Sequence, residues 1–228
     1  MISPRLYISG FLSLCVIFLF FENRLNAFGE NARLTIARVK YNGGGDWYND
    51  PEAIPNLARE LKFRAGIDTN IEQRVVALTD ELLFSSPLLF LTGHGEVRWT
   101  DSEVLNLRSY LKNGGFLYAD DDYGMDKAFR REMKRVFPNK EFTELPFTHP
   151  IYHIIYSFPD GPPKHHEHNG KRPQGLGLFH DGRLIVYYTY ESNISDGWAD
   201  AKTHGDPPDK RESAFKMGVN IVAYALYR

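Results

Sequence analysis

Acids and imidazoles stand in groups along this chain, each group just after an apolar run. Asp120-Asp121-Asp122 follow GFLYA (115–119), and Gly93-His94-Gly95 follow LLFLT (88–92). Asp46 and Trp47 close the glycine loop NGGGDW (42–47), which follows the alternating segment LTIARVKY (34–41). Three adjacent aspartates repel one another, so any that is buried demands a cation, hydrogen-bond donors or a raised pKa. Asp120 is expected to face inward with Arg183 as its nearest candidate partner, and Asp122 to cap a helix in solvent. His94, on a flexible two-glycine turn, has little reason to be core and is a candidate base. The amides of Gly44 and Gly45 suit an oxyanion or phosphate. Neither loop carries GxGxxG or a Walker pattern, however, and a tight strand-to-helix turn explains the glycines as well.

Further histidines have metal-ligand spacing. His149 and His153 are four apart, on one face of a helix if Pro150 opens it. His165-His166-Glu167-His168 lie in a proline- and glycine-rich stretch, with His166 and His168 on one side if the chain is extended. Neither HExxH nor a cysteine pair accompanies them, so a solvated histidine-rich loop is the competing reading. Glu191, Asp196, Trp198 and His204 follow RLIVYYTY (183–190). There Glu191 is a second candidate base, Asp196 a candidate ligand, and Trp198 either a stacking surface or a core residue.

The elements that must position these residues are legible from periodicity. Residues 34–41 alternate as a strand does, and Leu57 and Leu61 share a helix face between Asp50, the expected N-cap, and Gly66. Residues 71–78 read as a weaker strand. LLFLT and GFLYA are continuously apolar, as in a parallel sheet buried on both faces. Between them, Thr100-Asp101-Ser102-Glu103 is a capping box. Met125, Phe129, Met133 and Val136 mark the next helix. Residues 159–175 form a long loop, Asp181-Gly182 is a two-residue hairpin turn, and Phe215, Val219, Val222 and Leu226 mark a C-terminal helix. Strands alternating with helices predict an α/β fold with a mostly parallel sheet, whose ligands bind beyond the carboxyl ends of the strands.

Composition narrows the function classes. Of 228 residues, 25% are charged and 43% hydrophobic, which fits a globular domain and not a disordered or multi-span chain. A net charge of −2 provides no field for nucleic acid. Arg5 followed by an apolar run over residues 6–21 and by Asn26-Ala27 reads as a signal peptide, 1–27, with an uncleaved membrane anchor as the alternative. A single domain over 28–228 is then expected in the periplasm or outside the cell. The one cysteine, Cys15, lies within the signal segment, so the domain has no thiolate nucleophile and no disulfide.

GGGDWY (43–48), LLFLTGHG (88–95), GGFLYADDDYGMD (114–126), FTHPIYH (147–153), PKHHEH (163–168) and GRLIVYYTYESNISDGW (182–198) together resemble the bacterial domain of unknown function family 4159. The resemblance spans about residues 33–228. It implies a flavodoxin-like sheet similar to that of class I glutamine amidotransferases, and an exported or membrane-tethered protein. The family pattern near 163–168 matches His166 and His168 and leaves His165 as an extra. An amidotransferase would carry a cysteine on the elbow after a buried strand; this chain has Ala119-Asp120-Asp121-Asp122 there, so glutaminase chemistry is excluded.

Three functions remain as expectations. The first is a non-catalytic envelope module that binds a small molecule, glycan or protein in the crevice, through Gly44, Gly45, Asp46, Trp47, Asp121, His149, His153, Arg183, Asp196 and Trp198. The second is a hydrolase of an envelope glycan or peptide, assisted by a divalent metal on His166 and His168, with His94, Asp120 and Glu191 as its catalytic groups. The third is an interaction domain using the basic face Lys127, Arg130, Arg131, Lys134 and Arg135.

Overall fold

A computed structural model describes residues 33–227, and the expected signal segment lies outside them. The elements run β1 (Ile36–Lys40), α1 (Ala53–Ala65), β2 (Arg74–Ala77), β3 (Leu88–His94), α2 (Asp101–Lys112), β4 (Phe116–Tyr123) and α3 (Asp126–Val136). There follow β5 (Thr143–Glu144), β6 (Gln174–His180), β7 (Arg183–Tyr190), α4 (Ala201–His204) and α5 (Pro208–Tyr227). They build one seven-stranded sheet in the order β2-β1-β3-β4-β7-β6-β5. The first five strands in that order are parallel, and β6 and β5 are antiparallel additions at the edge. With β7 in fifth place the parallel part has the flavodoxin-like order 2-1-3-4-5, whose direction of winding reverses between β1 and β3.

Alternation along the strands assigns side chains to two cores. Leu89, Leu91, Leu117 and Ala119 pack beneath α2 and α3, whose Leu107, Leu111, Phe129 and Met133 face the sheet. Phe90, Phe116, Tyr118 and Tyr187 pack beneath α1 and α5 with Leu57, Leu61, Val219 and Val222. α2 begins at the expected capping box, with Thr100 and Glu103 bonding each other's backbone N–H. α5 lies close to its neighbours at Gly218, where a Cβ would sit 2.7 Å from Leu57 and 2.8 Å from Trp198, so only glycine allows this approach. The hairpin turn falls at Asp181 and Gly182, with φ of 51° and 74° as a type I′ turn requires.

Several local expectations are corrected. β3 reaches His94 and β4 reaches Tyr123, so the glycine turn's histidine and all three aspartates belong to strands. Asp50 does not cap α1: Glu52 occupies that position and Asp50 sits at φ 42°. His149 and His153 share no helix face, because Pro150–Tyr152 is a single 3-10 turn that they flank. Trp198 is a core residue, packed 5.7 Å from Phe90 and donating its indole N–H to the Ala214 carbonyl. The basic face of α3 is largely neutralised, since Arg130, Arg131, Lys134 and Arg135 pair with Asp126, Glu96, Glu132, Glu141 and Asp101.

Candidate functional site

The carboxyl ends of β1, β3, β4 and β7 meet at one rim, and its floor is set by the period of two along β4. Asp120 and Asp122 point to the α1/α5 side. Asp121 points to the other and accepts the Met125 N–H at 2.8 Å, opening α3. The expected roles of Asp121 and Asp122 are therefore exchanged: Asp121 serves a helix start, and Asp122 faces the rim. The signal for this is alternation along β4, which continues through the acidic run. Asp120 is fully buried and accepts the Thr189 hydroxyl and, at 2.6 Å, the Ser195 N–H. Burial pushes Asp120 up to about 6 against the opposing pull of those donors, and Asp121 up to about 7.

The β1–α1 loop is held from below by Arg38, a buried cation that in sequence looks like one polar position of an alternating strand. Its guanidinium donates to the carbonyls of Trp47 at 2.9 Å, Asn49 at 2.6 Å and Asp50 at 3.0 Å, to the Gln73 side chain at 2.9 Å, and lies 5.2 Å from the Phe90 ring centre. This anchoring sets Asp46, Asn49 and Asp50 at the rim. Gly45 serves backbone packing, since a Cβ there would lie 2.6 Å from the His94 carbonyl and 2.7 Å from that of Glu96. Gly44, at φ 97°, has open space around it. Trp47 is half-buried, against the Lys40 ammonium and Tyr48.

Across the rim the side chains meet each other more than backbone. His94 Nδ1 lies 3.0 Å from Asp46 and 3.3 Å from Asp122. Asp122 also accepts from Asn49 and, at 2.9 Å, from Asn193. Asn193 Nδ2 reaches Asp196 at 2.8 Å and lies 3.3 Å from His166 and 3.4 Å from His168. His166 stands between two carboxylates, Nδ1 2.8 Å from Asp196 and Nε2 2.9 Å from Asp206. Asp206 holds His165 in the same way, at 2.9 Å. His165 is thus no incidental extra: it is buried against Gly197, and its N–H donates to the Ser192 carbonyl. His204 Nε2 sits 3.0 Å from Asp50 and 4.0 Å from Asp196. Nothing in the local pattern of Asp206 and Asn193 distinguishes them from turn residues, and Asp50 reads in sequence only as a helix cap.

The charges respond to one another. His166 is pushed up to about 9, first by its bond to Asp196, so the imidazolium is its resting form in this arrangement. Burial works against a charged His94, but the Asp122 and Asp46 carboxylates outweigh it and raise its pKa. Burial lowers His165 and His168. Asp122 and Asp196 are raised, burial being the first cause and neighbouring carboxylates a further one. Glu191 goes the other way. Burial would raise it, but Asn169, through both N–H groups, and the Lys164 ammonium outweigh that and hold it ionised. A carboxylate so saturated with donors is a poor base.

Three sequence candidates lie elsewhere. Arg183, at the start of β7, donates to the carbonyls of Leu111, Lys112 and Gly115 and is no partner of Asp120. His149 accepts the Ile151 N–H and packs on Tyr224, while His153 meets the Phe147 carbonyl. Strand direction places Arg183 and His149 at the opposite end of the sheet. His168 lies at the rim, its ring 5.0 Å from that of Tyr123.

The family model Domain of unknown function (DUF4159) matches residues 35–226. No curated protein matches the chain.

Proposed function

From the premise that the chain belongs to the DUF4159 family, we propose that it is an amidotransferase-like domain of an exported protein that binds a polar envelope ligand or partner protein at the rim and does no cysteine chemistry. One observation carries this reading: side chains from β3, β4, the β1–α1 loop, the 163–168 loop and the segments after β7 converge there and contact one another across the winding reversal between β1 and β3. Asp46, Asp50, Asp122, Asp196 and Asp206 make the rim acidic. The complementary ligand is therefore a glycan offering hydroxyl donors or a peptide offering amines. The apolar run of residues 6–21 supports a periplasmic or extracellular place for the domain.

A second reading, a metal-assisted hydrolase of an envelope glycan or peptide, is favoured by His94, whose Nδ1 is held between two carboxylates as a proton-transferring imidazole would be. Calorimetric titration with soluble peptidoglycan fragments, with product analysis of the same mixtures, tests both. We expect binding that is lost in an Asp122→Asn, Asn193→Ala double variant and kept in His149→Ala at the far end of the sheet. Equal binding by all three proteins would refute the rim as the binding surface, and fragment cleavage would select the hydrolase.

A further inference from the structure

Asp196 is only half satisfied by its neighbours at the rim. The residue is 4% exposed, and its Oδ2 already takes His166 and Asn193. Its Oδ1 is buried with no hydrogen-bond partner, and so is Oδ1 of Asn193 beside it, which is 2% exposed. Buried carboxylate oxygens are rarely left unpaired, because nothing then replaces the water they gave up. Beside Asp196 stand the Asp50 carboxylate and the His204 imidazole, whose Nε2 lies 4.0 Å from Oδ2 of Asp196, the carboxylate oxygen next to the unpaired one. One ligand atom from each of Asp50, Asp196 and His204 lies within 4.8 Å of the others.

We infer that Asp50, Asp196 and His204 form a divalent transition-metal site that takes one zinc-like cation and leaves a coordination position open toward the crevice. Four donors at tetrahedral zinc distances of ~2.0–2.2 Å stand roughly 3.3–3.6 Å apart, so Asp196 would draw in from 4.0 Å to His204 while the 3.0 Å Asp50–His204 pair would open slightly around the ion. One imidazole and two carboxylates suit zinc-like borderline ions better than calcium, which prefers six or more oxygens. The supporting parts are in place as well. Arg38 bonds the Asp50 carbonyl, and His166 holds Oδ2 of Asp196 while Asp206 holds His166 from behind. His166 and Asp206 are positioning residues in this arrangement, of the kind that orient ligands in metal sites. Two acids brought together beside further acids are also the arrangement that a dication relieves and a neutral ligand does not.

The inference deepens the crevice reading, since a cation with an open position supplies a place for a ligand oxygen, and it can fail separately. The test is equilibrium dialysis of the folded, chelator-washed chain against zinc chloride, with metal counted by mass spectrometry and melting followed in parallel. We expect about one zinc per chain and a higher melting temperature with zinc. Zinc affinity should fall at least about 100-fold in Asp196→Asn and in His204→Ala, and about tenfold in His166→Ala, which touches only the support. His149→Ala should bind as the wild type does. No saturable binding at micromolar zinc overturns the site, as does binding that survives Asp196→Asn and His204→Ala. Binding lost in His165→Gln but kept in His204→Ala would put the ion on His165, His166 and Asp206 instead and equally overturn it. The isosteric Asp196→Asn keeps the test valid if His204→Ala melts early. A chain that binds peptidoglycan fragments but no zinc sinks this inference alone, and one that binds zinc but no fragment sinks only the reading before it.

Discussion

The two ends of the parallel sheet treat polar side chains in opposite ways. At the amino end they serve the backbone. Asn220 of α5 accepts the N–H groups of Ile155 and Tyr156 and donates to the Tyr156 carbonyl, and Arg183 binds three carbonyls behind α2. At the carboxyl end Asp46, His94, Asp122, Asn193, Asp196 and His166 mainly face one another, and two of their oxygens are buried without a partner. A side chain that satisfies backbone stabilises the fold. Like charges gathered with incomplete partners cost stability, and such a gathering is kept for what it binds.

This contrast breaks if substitutions at the two ends have equal consequences. The largest effect is expected at the amino end. Asn220→Ala strips three backbone groups of their partner and should cost about 3–4 kcal/mol in urea denaturation, with no change at the rim. A loss under about 1 kcal/mol would mean that water replaces the amide and that this end is no better satisfied than the other.

Next comes the floor of the rim. Asp120 has a folded-state value of about 6 against an ordinary 3.8, so the folded chain holds that proton longer than the unfolded one. Stability from the protonated acid is fully present below 3.8 and is lost as the pH rises through about 6. Relative to Asp120→Asn, the wild type should therefore lose up to ~3 kcal/mol across that window. Parallel stability curves for the two proteins would show that Thr189 and Ser195 compensate the buried charge completely.

The smallest effect sharpens the comparison most. Asp122→Asn removes a buried charge while also removing an acceptor for Asn49, His94 and Asn193, so the metal-free chain should change by less than about 1 kcal/mol. Ligand binding at the rim should nonetheless be lost. A large destabilisation would make Asp122 structural, like Asn220.

How far the letters reached differs between fold and rim. Continuous apolar runs and helical spacing were enough for β3, the core of β4, α2 and the hairpin, because burial on both faces and capping leave marks within a few residues. Two-residue β5 and the 3-10 turn at Ser195–Trp198 left no mark, being shaped by what they pack against. At the rim, His94, Asp120 and Asp196 are legible from type and from following a strand, and His166 and His168 from type and spacing. Arg183, His149 and His153 lie elsewhere, because neither spacing along the chain nor opposite charge says which end of a sheet a residue serves. Arg38 was invisible for the opposite reason: a cation in an alternating strand reads as solvent-facing, and only the β1–α1 loop folding back over it supplies the carbonyls that make its burial tolerable.

What the amino-acid order determined by itself is the set of elements and the placing of acids and imidazoles beside them, since period, capping and turn chemistry act over a few residues. The tertiary structure decided which of those groups meet. Asp50 is far along the chain from Asp196 and His204, and its approach to them depends on parallel strands ending at the same side of one sheet. The exchange of roles between Asp121 and Asp122 has the same origin: strand pairing carries β4 past its apolar run, and alternation then sends one acid to a helix start and the other to the rim.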